Sequence, residues 1–521
     1  MSFTNLKDKW KITVAKFAYH LSWLFVRPLL LLTFKIKFYN KDYLNTLNNP
    51  LIFASNHKSL LDPWIIGSAF TFRSKFFPIL WLTIEKYFKL PIVGFIVKMH
   101  GSILIKKGEP LENSLNEAIY YLKNKKMNIG IFPEGKVVFD KDKIEIFKRG
   151  IGYLFFNTKT PIIPIAIRLV KSFGLSDLIT RKNKAYVFFG RPIYEINTNN
   201  YEEISNYVQN IVTDLFSIKD YYKDGRELKI DFEYPSFIIR FGHRLLIPLL
   251  NPKFFGFLVL KISKEGKNVF QRAGSAMSME IVYNLPKKSL FSFKSFNELS
   301  LVIFDRLLFQ TRALRNRLRI VKNLFKESLV TFSDKNTIKI LSLGGRSLRS
   351  IISAISEVKN ENLINKITVY SVDNDKEVHY LVNEVKKEFG LNDLKIEIIN
   401  VDIPIFLKNP SKYVNNPVFE IIEMVGVLDY LPEKEVINYL NDIYSFLKEK
   451  GYLICSNIAP NNESKFLENR GWPQLYYRNV VDWVYILKDT FFQKASKIIK
   501  EPLEFHNIIL IEKNTLIKNE K

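Results

Sequence analysis

A histidine stands five residues ahead of an aspartate where an apolar run gives out. The stretch LIFASNHKSLLD carries His57 and Asp62 at the point where a strand would feed a helix. Connections of this kind are where folds present reactive groups. A carboxylate at this spacing can return to the imidazole, fix its tautomer and stabilise a developing imidazolium, so that His57 could deprotonate a hydroxyl. A packing histidine that bonds only to its neighbours would give the same pair. Three more blocks follow in order: GSILIK at 101–106, FPEG at 132–135 and IIPIAI at 162–167. Far downstream, IKILSLGGRSLR at 338–349 reads as strand, glycine turn and helix start, a turn that lets a cofactor approach the backbone. TVYSVD then ends a second strand on Asp373, an acid suited to a pair of ribose hydroxyls, and Asp402 follows a third in IINVDI. Asp373 and Asp402 would serve equally as solvated helix caps. IIEMVGVLDYLP at 421–432 and GYLICSN at 451–457 complete this second set.

These residues need elements to hold them. Residues 50–220 alternate short apolar runs with helical stretches, and strands are expected at Leu51–Ala54, Ser102–Ile105, Ile129–Phe132, Ile162–Ile167 and Tyr186–Phe189. That alternation predicts an α/β domain over 40–220. Residues 221–330 differ. The stretch FDRLLFQTRALRNRLRIVKNLF repeats apolar positions at helical spacing with Arg and Lys between them, which predicts a helical connector. From 331 to 521 the alternation returns. Strands are expected at Ile338–Leu343, Ile367–Val372, Leu394–Val401, Glu420–Val425, Tyr452–Asn457 and Ile508–Ile511, with helices at Leu348–Val358, Lys376–Phe389 and Lys434–Leu447. The fold class is therefore α/β, two α/β domains joined by a helical connector, the second of them doubly wound.

A chain of 521 residues exceeds what one hydrophobic core supports, about 250–300 residues. Apolar residues at 47% and charged residues at 25% exclude a disordered or low-complexity chain. Lys and Arg total 77 against 52 Asp and Glu, 77 − 52 = +25. Such a balance suits nucleic acid, an anionic membrane surface, or phosphorylated and CoA-linked substrates, and it is also what a lysine-rich composition gives. No helix-turn-helix, zinc-ligand or RNA-binding signature is present, so no nucleic acid is expected. The single cysteine, Cys455, forbids an internal disulfide and a cysteine metal cluster, and no metal is expected.

Residues 10–38, WKITVAKFAYHLSWLFVRPLLLLTFKIKF, are apolar and aromatic but broken by Lys16, His20 and Arg27. No uninterrupted run of about 20 apolar residues exists to span a bilayer, and Pro28 should split a helix. Residues 1–39 are expected to form two short helices in the membrane interface, aromatics toward lipid and cations toward head groups. The expected location is the cytoplasmic face of a membrane.

The four N-terminal blocks in this order resemble the glycerolipid acyltransferase superfamily that includes 1-acylglycerol-3-phosphate acyltransferase. NHKSLLD is similar to its Asn-His-x4-Asp block, GSILIK to its Gly-x-x-Phe-Ile-Arg block with Lys106 at the Arg position, and FPEG to its Pro-Glu-Gly block. FKRG at 147–150 and FGRP at 189–192 also look like that family. The resemblance covers about 40–220. It implies acyl transfer from acyl-CoA or acyl carrier protein to the hydroxyl of a lysophospholipid, with no further cofactor. His57 would be general base and Asp62 its orienting partner. Asn56, Lys106, Glu134, Gly135 and Lys136 would bind the acceptor: Lys106 its phosphate, Glu134 a hydroxyl or the loop, and the Gly135 N–H a phosphate or oxyanion. The family often continues Pro-Glu-Gly with Thr-Arg-Ser, but here Lys136-Val137-Val138 follows.

The second set looks like class I S-adenosylmethionine-dependent methyltransferases, closest to the branch named for biosynthesis of a 3-hydroxypalmitic acid methyl ester. That resemblance implies Gly344, Gly345, Asp373 and Asp402 as cofactor-binding residues. The family's Gly-x-Gly turn is here Gly344-Gly345-Arg346. An active methyltransferase and a degenerate structural domain both remain open. The leading expectation is a membrane-associated O-acyltransferase fused to a methyltransferase-like domain. The alternative is a methyltransferase acting on a fatty acid or lipid that the N-terminal domain delivers or anchors. A membrane adaptor that has lost both activities would not need to keep His57 and Asp62.

Overall fold

The structure of the protein is a computed structural model that describes residues 3–170, 183–250, 272, 274–284, 305, 308–358, 360–469 and 472–514. The chain divides into two compact units, Met1–Asp220 and Tyr221–Lys521.

The first unit opens with α1 (Phe3–Thr33) and is built on seven strands: β1 (Phe34–Tyr39), β2 (Ile52–Ser55), β3 (Ile79–Ile84), β4 (Ile103–Ile105), β5 (Asn128–Ile131), β6 (Ile162–Leu169) and β7 (Asn183–Phe189). They form one sheet in the order β1-β7-β6-β2-β5-β3-β4. All pairs are parallel except β6 with β7. The central strands are apolar runs buried along their length, as parallel strands covered on both faces must be. Phe53, Ile65, Phe76, Ile163 and Val187 join the core on one of those faces. Helix α2 (Asp62–Gly67) follows β2, and α3 (Pro91–Met99) follows β3.

Two N-terminal expectations are corrected. Residues 1–39 do not form two short helices. α1 runs unbroken through Pro28, and FKIKFY is a strand paired with β7. Tertiary anchoring offsets the proline: the Tyr19 hydroxyl donates to Ile79 O at 2.6 Å, Trp23 Nε1 to Phe70 O at 3.0 Å and Arg27 Nε to Ser68 O at 3.1 Å, and Leu30 beyond the proline is buried. In β1, Phe34, Ile36 and Phe38 alternate with Lys35 and Lys37 at the period of a strand. Residues 3–39 thus fold within the first unit. No helix among the described residues is long and apolar enough to cross a membrane.

The second unit holds β8 (Tyr222–Asp224), β9 (Ile338–Leu343), β10 (Ile367–Val372), β11 (Lys395–Ile399), β12 (Phe419–Val425), β13 (Leu447–Ile458), β14 (Lys497–Lys500) and β15 (His506–Glu512). Their order is β11-β10-β9-β12-β13-β15-β14-β8. β11 through β13 are parallel, and β15 runs antiparallel to β13. The order reverses between β9 and β12, and an open α/β sheet takes its ligand at the carboxyl ends of the strands at such a point. Cys455 lies fully buried on β13.

The segment 221–330, read as a connector, belongs to this unit where it is described. β8 closes one sheet edge, α4 (Ala276–Tyr283) follows, and α5 (Phe309–Thr331) sends Ile320, Val321, Leu324, Phe325 and Leu329 into the core. The remainder of that reading, at 251–271, 273, 285–304 and 306–307, lies outside the described residues.

Glu501 is buried in this unit, with Asn316 Nδ2 donating to its carboxyl at 2.9 Å, and burial pushes it up from 4.5 to about 7. Below pH 4.5 the carboxyl holds its proton folded or unfolded. Between 4.5 and about 7 only the unfolded chain has released it, so stability falls as pH rises through that window. The drop is of the order of 3 kcal/mol. Thermal melts at pH 5 and pH 8 should show the second unit losing stability in the wild type, and Glu501→Gln should flatten that difference.

Candidate active site

β2 ends at Ser55, and the loop from Asn56 to Leu61 carries His57 into α2. Asp62, the first residue of α2, is wholly buried. Its Oδ2 accepts from His57 Nδ1 at 2.9 Å and from the N–H groups of Lys58 and Ser59 at 2.5 and 2.9 Å. Its Oδ1 accepts from Ser59 Oγ at 2.7 Å. Four donors hold the carboxylate in one orientation. Because an aspartate accepts, Nδ1 carries the imidazole proton and Nε2 is left as the proton acceptor.

The His57 ring is held on its faces as well. It stacks on Phe132 with centroids 3.9 Å apart, and Phe132 stacks on Trp81 at 4.6 Å. Gly130 on β5 makes room for this ladder, since a Cβ there would overlap the Trp81 ring. The backbone is tied down too. The His57 N–H donates to Glu134 Oε2 at 2.6 Å, and its carbonyl accepts from Val138 N at 2.8 Å.

His57 lines a cavity of about 310 Å³, walled by Tyr19, Trp81, Val93, Val97 and other apolar side chains and by the segment Gly135–Val137. At ~30 Å³ per water-sized group, such a cavity has room for about 10 methylene-sized groups. His100 in its wall bonds Ser22 Oγ and Ile96 O, and burial holds the imidazole below its usual range. The arrangement offers a fixed proton acceptor at the wall of an apolar chamber.

The expected acceptor-binding residues divide. Glu134 is 2% exposed and does not face the cavity as a substrate contact. One oxygen takes the His57 N–H and the other the Glu145 N–H at 2.9 Å, so it braces two loops while burial pushes its carboxyl up. Asn56 is likewise committed: Nδ2 donates to Ile167 O and Oδ1 accepts from Ile167 N, at 2.9 and 2.7 Å, pinning the histidine loop to β6. Gly135 lines the cavity at φ +67°, but its N–H donates to Phe132 O at 3.0 Å rather than pointing at an anion. Lys136 lines the cavity and pairs with Glu145 at 3.2 Å. Lys106 pairs at the surface with Glu109 at 3.1 Å and is not part of the cavity wall. Sequence reasoning missed Lys148. Its ammonium lies 2.6 Å from where a Gly135 Cβ would stand, and its FKRG block was the signal.

In the second unit Gly344 takes φ +68° and its N–H donates to Val372 O at 2.9 Å. Arg346 follows at φ +54°, its N–H donating to Asp373 Oδ2 at 3.3 Å. A Cβ on Gly345 would overlap the Ser342 hydroxyl, which is itself bonded to Glu423. Asp402 is exposed at a helix start and bonded by Asn374. The cavities lined by Arg346 measure about 30 and 50 Å³, where a cofactor-sized ligand needs roughly 300 Å³ or more. Gly344 and Gly345 follow β9, Asp373 follows β10 and Asp402 comes after β11, while Arg346, Ser342 and Glu423 crowd the turn. The residues present do not fit S-adenosylmethionine.

Residues 35–168 match the family model described as Acyltransferase, a segment that contains His57, Asp62, Glu134 and Lys148. A 1-acyl-sn-glycerol-3-phosphate acyltransferase of Saccharomyces cerevisiae is 27% identical over 127 residues, 24% of this chain and 40% of the relative. A probable 1-acyl-sn-glycerol-3-phosphate acyltransferase of Mycoplasma genitalium is 25% identical over 207 residues, 37% of this chain and 74% of the relative. The chain thus spans less than half the length of the yeast protein. Among solved structures, the 1-acyl-sn-glycerophosphate acyltransferase of Thermotoga maritima is similar at a TM-score of 0.31 and 19% identity, covering 43% of this chain and 86% of that one. The magnesium protoporphyrin IX methyltransferase of Synechocystis, solved with bound S-adenosylhomocysteine, is similar at a TM-score of 0.29 and 14% identity, covering 40% and 88%.

Proposed function

We propose that the first unit transfers an acyl chain from a thioester, acyl-CoA or acyl carrier protein, to the hydroxyl of a lysophospholipid at a membrane surface. One observation carries the reading: His57, oriented by Asp62 at 2.9 Å, lies in the wall of an apolar cavity of about 310 Å³. The acyl chain takes the cavity and brings its thioester carbonyl to the imidazole. Nε2 accepts the proton of the acceptor hydroxyl as its oxygen bonds to the carbonyl carbon. The carbon–sulfur bond then breaks, and the proton passes to the leaving sulfur. Asp62 stabilises the imidazolium that exists between the two transfers. Lys136 and Lys148 are the cations for an acceptor phosphate. The relatives named above favour 1-acylglycerol-3-phosphate as that acceptor. Incubating the full chain with labelled acyl-CoA or acyl carrier protein and a panel of lysophospholipids tests this. Label should enter the phosphate-monoester acceptor first, and absence of label from every acceptor would overturn the reading.

The outer face of α1 supports the membrane. Trp10, Phe17, Leu24 and Phe25 are exposed along it, and Ile92 and Phe95 on α3 are exposed too. Lys7, Lys9 and Lys16 are exposed near those aromatics. Burying each large apolar side chain is worth about 1.5–3 kcal/mol, and the lysines would meet anionic head groups at the cytoplasmic face. Replacing Trp10, Phe17 and Phe25 together by Ser should lower binding to anionic vesicles at least a hundredfold in a flotation assay, with the thermal melt unchanged. The reading routes no methyl transfer through the second unit.

A further inference from the structure

Where the second sheet reverses its order, the turns after β9 and β12 bring two arginines together. A Cβ on Gly426 would lie 3.6 Å from a terminal nitrogen of Arg317, on α5, and 3.6 Å from one of Arg346. Both arginines line a cavity of about 50 Å³ whose wall also includes Met279, Val282, Leu314 and Leu475. Arg317 is 2% exposed, yet its Nε has no hydrogen-bond partner among the described residues. Its ion pair with Asp429 spans 3.7 Å, beyond hydrogen-bond length. Asp429 is already satisfied by Asn457 Nδ2 at 2.8 Å and the Ile458 N–H at 2.6 Å. Two residues away, Arg315 has what Arg317 lacks, donating to Glu233, Asp305 and Val282 O at 2.6–3.1 Å. A buried guanidinium nitrogen without a hydrogen-bond partner is costly unless something else supplies one.

Two further groups lining the cavity are unsatisfied among the described residues, Gln310 Oε1 and His506 Nδ1. Gln310 Nε2 donates to His506 Nε2 at 3.1 Å, which leaves the imidazole proton on Nδ1 as another donor. Arg317 and Arg346 bring two positive charges to this cavity, with Asp429 at 3.7 Å from Arg317. Glu423, bonded to Ser342 and Ser350, faces both arginines, and burial pushes its carboxyl up. Burial and then Arg317 hold His506 well below its usual range, so it stays uncharged.

We propose that this cavity binds a small apolar monocarboxylate, its carboxylate seated between Arg317 and Arg346. The guanidinium fork matches a carboxylate, and the unpartnered Arg317 Nε and His506 Nδ1 are donors for it. The apolar wall takes the rest of the molecule. The site stands independently of acyl transfer in the first unit.

Equilibrium dialysis of labelled butyrate against the full chain tests this, with butyramide, inorganic phosphate and S-adenosylmethionine as competitors. One butyrate should bind per chain. Butyramide and phosphate should compete at least tenfold more weakly than unlabelled butyrate, and S-adenosylmethionine not at all. Arg346→Gln should weaken binding at least tenfold with an unchanged melt, and a folded Arg317→Gln should abolish it. If Arg317→Gln does not fold, Arg346→Gln alone decides. Equal competition by butyramide, displacement by S-adenosylmethionine, or undiminished binding in Arg346→Gln would overturn the proposal.

Discussion

His57→Ala should lower the kcat of acyl transfer by about 10²–10⁴-fold, the range a positioned general base supplies. KM for the thioester should move little, because the chain is held by the apolar wall and not by the imidazole. The fold should survive. His57 is anchored through its backbone, to Glu134 and Val138, and those two bonds remain in the alanine variant. What the variant loses is the stacked ring over Phe132 and one of four donors to Asp62. Steady-state rates beside a thermal melt separate the two effects.

Asp62→Asn should cost a comparable factor in rate and more in stability. The carboxylate accepts from His57, from two N–H groups and from the Ser59 hydroxyl. An asparagine has one acceptor oxygen and turns an NH₂ toward whichever donors lose it. If that NH₂ faces His57, the imidazole moves its proton to Nε2, the atom that must receive one. If it faces the loop, buried N–H groups go unpaired, at about 1–3 kcal/mol. A fall of rate by about 10²–10⁴-fold with a melt lowered by several degrees is expected. Wild-type rate in this variant would mean that Asp62 serves only the loop.

The parts of this protein that were legible in the sequence are those fixed by local pattern. Ile338–Leu343 and Ile367–Val372 are strands over the residues expected, because buried parallel strands are continuous apolar runs bounded by turns. His57 and Asp62 were legible because their bond closes within five residues. Parts decided by distant partners were not. Pro28 looked like a helix break, but Tyr19, Trp23 and Arg27 reach residues far along the chain that hold α1 in place on either side of it. Glu134 looked free to meet a substrate, and only the folded chain shows both its oxygens spent on backbone N–H groups. Arg346 stood out as a misfit in a glycine turn, while Arg317 looked like one more cation on a helix rich in them. Their convergence on Gly426 depends on the reversal of strand order, which no local pattern encodes.

The most direct test of the central claim is thiol release from acyl-CoA, followed on anionic vesicles with and without 1-acylglycerol-3-phosphate, for wild type and His57→Ala. Direct attack by a hydroxyl that His57 deprotonates requires the acceptor. Wild type should therefore release thiol only when the acceptor is present, in step with the diacylated product, and His57→Ala should release almost none. Release by wild type without acceptor, or undiminished release by His57→Ala, would contradict it.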